Sequence, residues 1–178
     1  MLTITIPAGS YWDEAEEIFR ECKGWTLQLE HSLVSISKWE SKYHKPFIGK
    51  ENKSLDETLY YAKCMTLNDV DEEAYMFLTD FHINTINDYI ADPMTATTIK
   101  KNNKKSGRST ITSEIIYYWM IALGIPSEYR YWHLNRLITL IDVCDEKNKP
   151  AKKMSKQDIY ARNAAINAAN RAKFNSKG

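Results

Sequence analysis

Four histidines and three cysteines are the residues of this chain best suited to catalysis or metal binding. No histidine belongs to an HExxH pattern or has a second ligand four residues away; the four are His31, His44, His82 and His133. Zinc sites need several ligands at short, regular spacing, so the sequence argues against a metal site. A place in the core or in a helix cap is the ordinary explanation for His133, which lies at the start of an apolar helical pattern.

The cysteines and acidic residues give no catalytic pattern either. Cys22, Cys64 and Cys144 lie far apart without CxxC spacing, which favours free thiols in a reducing cytoplasm. The acids at 69–73 suit the first turn of a helix, where the helix dipole favours negative charge, and those at 142–146 suit a solvated helix face. Because the chain also lacks the GxGxxG, GxxxxGK[ST] and GxSxG patterns, we expect no cofactor and no enzyme activity.

Charge divides the chain into an acidic body and a basic tail. Residues 147–178 contain nine Lys or Arg and one acid, a net charge of +8, whereas residues 1–146 contain 15 basic and 22 acidic residues, a net charge of −7. Such a split indicates binding to a partner more than chemistry. It also allows self-association into a homo-oligomer, with the body of one copy against the tail of another.

The first 30 residues carry the strand signals. Leu2–Ile6 alternates apolar residues with Thr, and residues 26–29 repeat the alternation, so both are expected to be half-buried strands. The acidic segment between them, 13–21, fits either a third strand around Ile18 and Phe19 or a short helix. We favour a small antiparallel sheet, a β-hairpin region covering residues 1–30.

Residues 31–146 have a helical pattern. Predicted capping residues mark the starts of the first helices: Ser32, Ser54 with Glu57 in a capping box, Asp71, and Thr79 or Asp80. The fold class is therefore mainly α (α+β), with a small N-terminal antiparallel β-sheet, a helical bundle and a separate C-terminal helix. Residues 1–146 form one globular domain, interrupted by an exposed basic loop at 100–110 that has no apolar residue in its charged part, 100–108.

The most apolar helix is predicted at 115–123, and we expect it to be buried on most sides. A helix at 132–144, with apolar residues at three- and four-residue spacing, should pack against it in antiparallel orientation. Aromatic residues around this region suit the core, and any that are exposed on one face would mark a protein interface: Tyr117, Tyr118, Trp119, Tyr131 and Trp132. The apolar run of about eleven residues at 115–125 is shorter than the ~20 residues that span a bilayer, so no membrane association is expected.

The tail, residues 147–178, is predicted to be a basic linker around Pro150 followed by a helix from Ser155 to about Phe174. Ile159, Ile166 and Phe174, with Ala165 and Ala169, give this helix a thin apolar stripe. The stripe is too weak to fold alone and suits docking on a partner. The candidate partner-binding residues are Lys152, Lys153, Lys156, Ile159, Arg162, Ile166, Arg171 and Phe174.

Two other interpretations of the tail stay open. A solvated helix would need no partner at all. A nucleic-acid arm would place Lys and Arg on phosphates, with the loop at 100–110 adding contacts. The absence of aromatic residues between 147 and 159, and the preference for Ala and Asn over Arg, argue against nucleic acid as the partner.

Four stretches of the chain resemble a known family. They are residues 26–40 (TLQLEHSLVSISKWE), 93–97 (PMTAT), 116–123 (IYYWMIAL) and 132–141 (WHLNRLITLI). In these stretches the chain resembles the tail assembly chaperones encoded in the structural gene modules of siphophages, which are tailed bacteriophages.

The resemblance implies a non-enzymatic factor that acts in the host cytoplasm and is absent from the finished virion. Such a factor keeps the tape measure protein soluble and recruits tail tube protein during tail morphogenesis, often through a C-terminal extension. Two alternatives come from other classes: a nucleic-acid-binding or DNA-packaging accessory protein, and a virion structural component such as a head-tail adaptor.

Overall fold

The structure is a computed structural model that describes residues 1–13, 16–49, 52–98, 110–149 and 155–175. The chain divides into two compact units, Met1–Lys147 and Asn148–Gly178. Within the described ranges no helix is both long enough and apolar enough to cross a lipid bilayer.

Two antiparallel strand pairs form the N-terminal part of the first unit. β1 (Leu2–Ile6) pairs with β4 (Trp25–Leu29), and β2 (Gly9–Asp13) pairs with β3 (Ile18–Cys22). In β1 and β4 the apolar residues are buried or half-buried and the Thr and Gln residues between them are exposed, which is the period of two that a half-buried strand requires. The predicted strands and the small antiparallel sheet are confirmed, and the segment left open at 13–21 contributes a strand.

Helices begin where the sequence predicts capping residues. α1 (Leu33–Tyr43), α2 (Leu55–Met65), a 3-10 helix (Glu72–Phe77) and α3 (Asp80–Ala91) follow the strands. Ser32 accepts the N–H of Ser35 at 3.2 Å, and Ser54 and Glu57 form the complete capping box. The cap of α3 is Thr79, whose N–H is accepted by the Nδ1 atom of His82 at 3.2 Å.

The predicted cap at Asp71 is correct in position only. Asp71 precedes the 3-10 helix, but its side chain makes no capping hydrogen bond. A 3-10 helix is tighter than an α-helix and this one has only six residues. The side-chain hydrogen bond that caps the first turn of an α-helix therefore does not form here.

The prediction that the most apolar helix is buried on most sides is wrong. α4 (Ser113–Ala122) buries Ile116 and Met120, but Tyr118 and Ile121 are 67% and 78% exposed. The reason is that α4 packs against α1 along one face, while its apolar side chains extend around the whole circumference. Among the predicted interface aromatics, Tyr131 is also exposed, whereas Tyr117, Trp119 and Trp132 are half-buried.

A second 3-10 helix (Ser127–Tyr131) leads to α5 (Leu134–Asn148), which ends at the boundary between the units. Leu134, Leu137 and Ile141 are buried at the predicted spacing. α4 and α5 share a groove lined by residues at the end of α4 and by residues from the middle of α5 onward, and the antiparallel orientation of the two helices stays a prediction.

The core of the first unit surrounds α1. Leu33 and Ile36 of α1 are fully buried, and Trp39 is 2% exposed with its indole N–H donated to the carbonyl of Glu57 at 3.0 Å. Apolar residues from β1, β4, the helices α2 to α5 and the first 3-10 helix pack in the same core. The described residues therefore form an α+β fold, with a small antiparallel sheet followed by helices.

The second unit contains α6 (Lys156–Phe174). Ser155 begins it by accepting the N–H of Asp158 at 3.1 Å, and Asn175 ends it in the left-handed conformation, with φ 48°. Both ends agree with the predicted helix. The basic part of the predicted linker, 150–154, and all of the predicted loop at 100–110 except its last residue lie outside the described residues.

Candidate protein-binding surface

Six of the eight predicted partner-binding residues lie on α6, and the other two, Lys152 and Lys153, lie outside the described residues. Every described residue of the second unit is exposed. The exposed fractions of the three large apolar side chains are 44% for Ile159, 46% for Ile166 and 71% for Phe174. The helix itself is favoured by six alanines, the residue with the highest helix propensity.

The predicted apolar residues share one face of α6. Successive residues of an α-helix are rotated by about 100°, so Ile159 and Ile166 lie about 20° apart, and Phe174 lies within about 80° of both. Arg162 borders this face on one side and Arg171 on the other. We call the face formed by Ile159, Ile166 and Phe174 the α6 apolar face.

Of the two alanines predicted to join this stripe, Ala169 lies about 60° from Ile166 and borders the face. Ala165 lies about 100° or more from both isoleucines, toward the other alanines. Tyr160 was missed because it does not follow the three- or four-residue spacing. It is 74% exposed and lies about 40° from Phe174 around the helix axis, so it widens the apolar surface at one edge.

Four basic residues give α6 its positive charge, against the single acid Asp158 in the first turn. Arg171 and Lys173 lie in the last turn, where the helix dipole favours cations, and Asp158 lies where it favours anions. Arg162 and Arg171 place a cation on each side of the α6 apolar face. The surface fits a partner with apolar residues and negative charge.

The structure brings together two histidines that are isolated in the sequence. The rings of His31 and His133 lie 5.0 Å apart, and both residues are buried in the first unit. The Nδ1 atom of His133 accepts the N–H of Asn135 at 3.3 Å, so its Nε2–H donates to the carbonyl of Tyr89 at 3.0 Å. The predicted core and capping role of His133 is confirmed.

His31 is held in its neutral form. Burial is the main cause that lowers the pKa of His31 to about 3, and the nearby His133 and Lys53 lower it further. Its Nδ1 atom lies 2.5 Å from the hydroxyl of Tyr61. Burial raises the pKa of Tyr61 well above the usual value, so the phenol keeps its proton and donates a hydrogen bond to the imidazole. A buried, neutral histidine with its hydrogen bond satisfied serves the packing of the core.

Glu40 holds three elements together from a buried position. Its two carboxylate oxygens accept the N–H of Phe47 at 2.7 Å and the N–H of Ser113 at 2.8 Å. The carboxylate of α1 thus fixes the chain after α1 and the first residue of α4. Neutral backbone donors satisfy it, so this buried charge acts as a structural brace.

The remaining reactive groups are dispersed. In the described part of the chain no group of three or more His, Cys, Asp or Glu residues is arranged to hold a metal ion. Cys22 and Cys64 are buried free thiols and Cys144 is half-buried. Burial raises the pKa of the Cys64 thiol, which disfavours the reactive thiolate.

The first unit also exposes apolar surface, only part of which the sequence analysis had identified. Trp12 and Phe19 face each other across β2 and β3, with ring centroids 5.0 Å apart, and are 52% and 69% exposed. Tyr118 and Ile121 form a second exposed patch on α4. In β2 and β3, alternate residues lie on opposite faces, so Trp12 and Phe19 lie on the face opposite to the buried Cys22. This alternation is the sequence signal that could have predicted their exposure.

Comparison with protein-family models, with curated proteins and with solved structures found no match to this chain. A functional proposal therefore rests on the residues of the two units and on the resemblance of the four sequence stretches.

Proposed function

We propose that this protein is a non-enzymatic tail assembly chaperone of a tailed bacteriophage, which binds the tape measure protein and tail tube protein in the host cytoplasm. The observation that carries the proposal is α6, a separate basic helix whose apolar face is exposed along its length. The resemblance of the four sequence stretches supplies the identity of the partners.

The physical basis of the proposed binding is the α6 apolar face. Burying Ile159, Ile166 and Phe174 against a partner removes apolar surface from water, which stabilises a complex by roughly 25 cal/mol for each Å² buried. The basic residues around the face favour an acidic partner surface, mainly by raising the association rate and fixing the orientation. Because α6 exposes this surface before any partner is present, it suits a transient role during assembly.

The direct test is co-expression with the tape measure and tail tube proteins encoded in the same gene module, followed by affinity purification. The wild-type chain should retain at least one of them. A variant with Ile159→Ser, Ile166→Ser and Phe174→Ser should lose most of the complex, because the apolar anchors of an interface carry most of its binding energy. Absence of a complex with either protein would refute the proposal.

A matched control separates the apolar face from the helix. Ala161→Ser, Ala164→Ser and Ala168→Ser alter the opposite side of α6, and because Ser has a lower helix propensity than Ala they weaken the helix more than the three substitutions in the apolar face do. This variant should retain the complex at the wild-type level. Circular dichroism of both variants should show that α6 stays helical.

The four exposed cations of α6 favour a second candidate function, nucleic-acid binding. If all four contacted phosphates of duplex DNA, log K would fall with log salt concentration with a slope of about −3.6. A gel-shift titration at several salt concentrations measures this slope. An absent or salt-independent shift excludes the second candidate without affecting the first.

A further inference from the structure

The strand pair of β2 and β3 has one face on the core and one face open to solvent. Tyr11 lies on the core side, where its ring meets Phe77 edge-on with centroids 5.4 Å apart, and the buried Cys22 lies on the same side. Trp12 and Phe19 pair on the opposite side and are exposed. A two-stranded sheet is marginally stable by itself and gains stability when a helix packs on it. The exposed side therefore offers a surface on which a helix can pack.

Carboxylates lie beside the two aromatic rings. Glu21 follows Phe19 by two residues in β3, so both lie on the same side of the strand pair, and Glu17 lies in the turn just before β3. Both acids are exposed, and within the described part of the chain neither carboxylate has a hydrogen-bond or ion-pair partner. Residues 9–22 contain five acids and one base, a net charge of −4. We call the face formed by Trp12, Phe19 and Glu21 the hairpin face.

α6 carries the complementary pattern. Phe174 is the most exposed apolar side chain of the α6 apolar face, and Arg171 and Lys173 lie in the same last turn of the helix. The ammonium group of Lys173 lies 5.6 Å from the centre of the Phe174 ring. Residues 156–174 contain four bases and one acid, a net charge of +3. An aromatic side chain with cations beside it thus matches a pair of aromatic rings with carboxylates beside them.

We propose that the hairpin face binds α6 of a second copy of this chain. The α6 apolar face packs on Trp12 and Phe19, and the cations of its last turn meet Glu17 and Glu21. A helix that lies on the open side of a strand pair buries apolar surface of both, and the opposite charges fix its orientation. Charge complementarity identifies the occupant, because the chain that carries the acidic hairpin face also carries a basic helix with an exposed apolar face.

This site goes beyond the function proposed above, since it lies on the first unit and needs only copies of this chain. It also has a consequence for that function. Self-association covers the α6 apolar face, so an acidic partner must compete with a second copy for the same helix.

Sedimentation equilibrium of the full chain tests the proposal. The weight-average mass should rise above the monomer's 20.7 kDa between about 1 μM and about 500 μM protein, and should rise less at high salt. Trp12→Ser with Phe19→Ser should weaken the association by at least about tenfold, and so should the triple substitution in the α6 apolar face. A wild-type chain that stays monomeric, or either variant that associates as the wild type does, would overturn the proposal.

Mixing these two variants identifies the pair of surfaces. The hairpin variant keeps an intact α6 and the α6 variant keeps an intact hairpin face, so the mixture contains one copy of each surface. The mixture should form a one-to-one complex at concentrations at which each variant alone is monomeric. A mixture that stays monomeric would contradict the pairing of the hairpin face with α6.

A matched control removes apolar side chains elsewhere on the first unit. Tyr118→Ser with Ile121→Ser alters two residues of α4 that are 67% and 78% exposed, and should leave the association within about twofold of wild type. A loss as large as that of the hairpin variant would contradict the assignment.

A second hairpin variant keeps the test decisive if the loss of Trp12 and Phe19 disturbs the strands. Glu17→Lys with Glu21→Lys retains both rings and should weaken the association by at least about threefold, with a smaller salt dependence. An unchanged affinity would overturn the role of the carboxylates. Both hairpin variants should retain the complex with the tape measure or tail tube protein, because their α6 is intact, so the failure of one proposal is distinguishable from the failure of the other.

Discussion

Replacing Glu40 tests how the first unit is held together. Glu40→Ala removes the acceptor for the N–H groups of Phe47 and Ser113 and leaves both donors without their partner inside the protein. A hydrogen bond to a charged group contributes about 1.5–3 kcal/mol, so losing two should lower the free energy of unfolding by about 3–6 kcal/mol. Glu40→Gln keeps one acceptor oxygen and should cost about half as much.

Urea unfolding measures both losses, with Glu21→Ala as a control for an exposed acid whose removal should cost less than about 0.5 kcal/mol. Amide hydrogen exchange locates the effect, because the N–H groups of Phe47 and Ser113 should exchange faster in Glu40→Ala than distant core amides do. A loss below about 1 kcal/mol in Glu40→Ala, with unchanged exchange at both amides, would refute the bracing role.

Three further predictions concern stability and reactivity. The pKa of His31 is about 3 in the folded chain and 6.5 for an ordinary histidine, so the unfolded chain takes up a proton that the folded chain excludes. Stability should therefore fall by about 2 kcal/mol between pH 7 and pH 5 in urea titrations, and the fall should be clearly smaller in His31→Gln. Ser54→Ala removes a capping box and should cost about 1 kcal/mol of unfolding free energy. Ser41→Ala, which alters an exposed serine inside α1, should change that free energy by less than about 0.5 kcal/mol, and equal losses in the two variants would contradict the capping role. In thiol titration with Ellman's reagent, Cys144 should react first and the buried Cys22 and Cys64 mainly after unfolding; equal rates for all three would contradict their burial.

Local features of the fold were predictable because their signals lie within a few residues. The capping box of Ser54 and Glu57 spans three positions, and the alternation of β1 is complete in five residues. α6 was predicted from Ser155 to Phe174 for the same reason, since its cap and helix-forming residues act without neighbours from elsewhere in the chain.

Features that depend on distant residues were not predictable. The exposure of Tyr118 and Ile121 depends on how many elements pack around α4, and its sequence does not contain that information. The two hydrogen bonds of Glu40 and the approach of His31 to His133 join residues far apart in the chain. A polar residue in an amphipathic helix looks the same in sequence whether it faces water or a buried backbone donor.

The candidate α6 surface was predictable in its residues and less so in its geometry. The spacing of Ile159 and Ile166 places them on one face, but the position of Ala165 away from that face follows only when the rotation of the helix is counted residue by residue. The exposed surface of α4 was not foreseen, because its high apolar content led to the expectation of a buried helix. The error arose from treating high apolar content as a measure of burial.

The most direct test of the proposed assembly role is quantitative mass spectrometry of the phage that encodes this chain. Infected-cell lysates and purified particles from the same culture should be compared, with the tail tube protein as the internal reference. We predict that the chain is abundant in the lysate during tail assembly and absent from purified particles. A fixed, stoichiometric amount of the chain in those particles would contradict the chaperone proposal and indicate a structural component such as a head-tail adaptor.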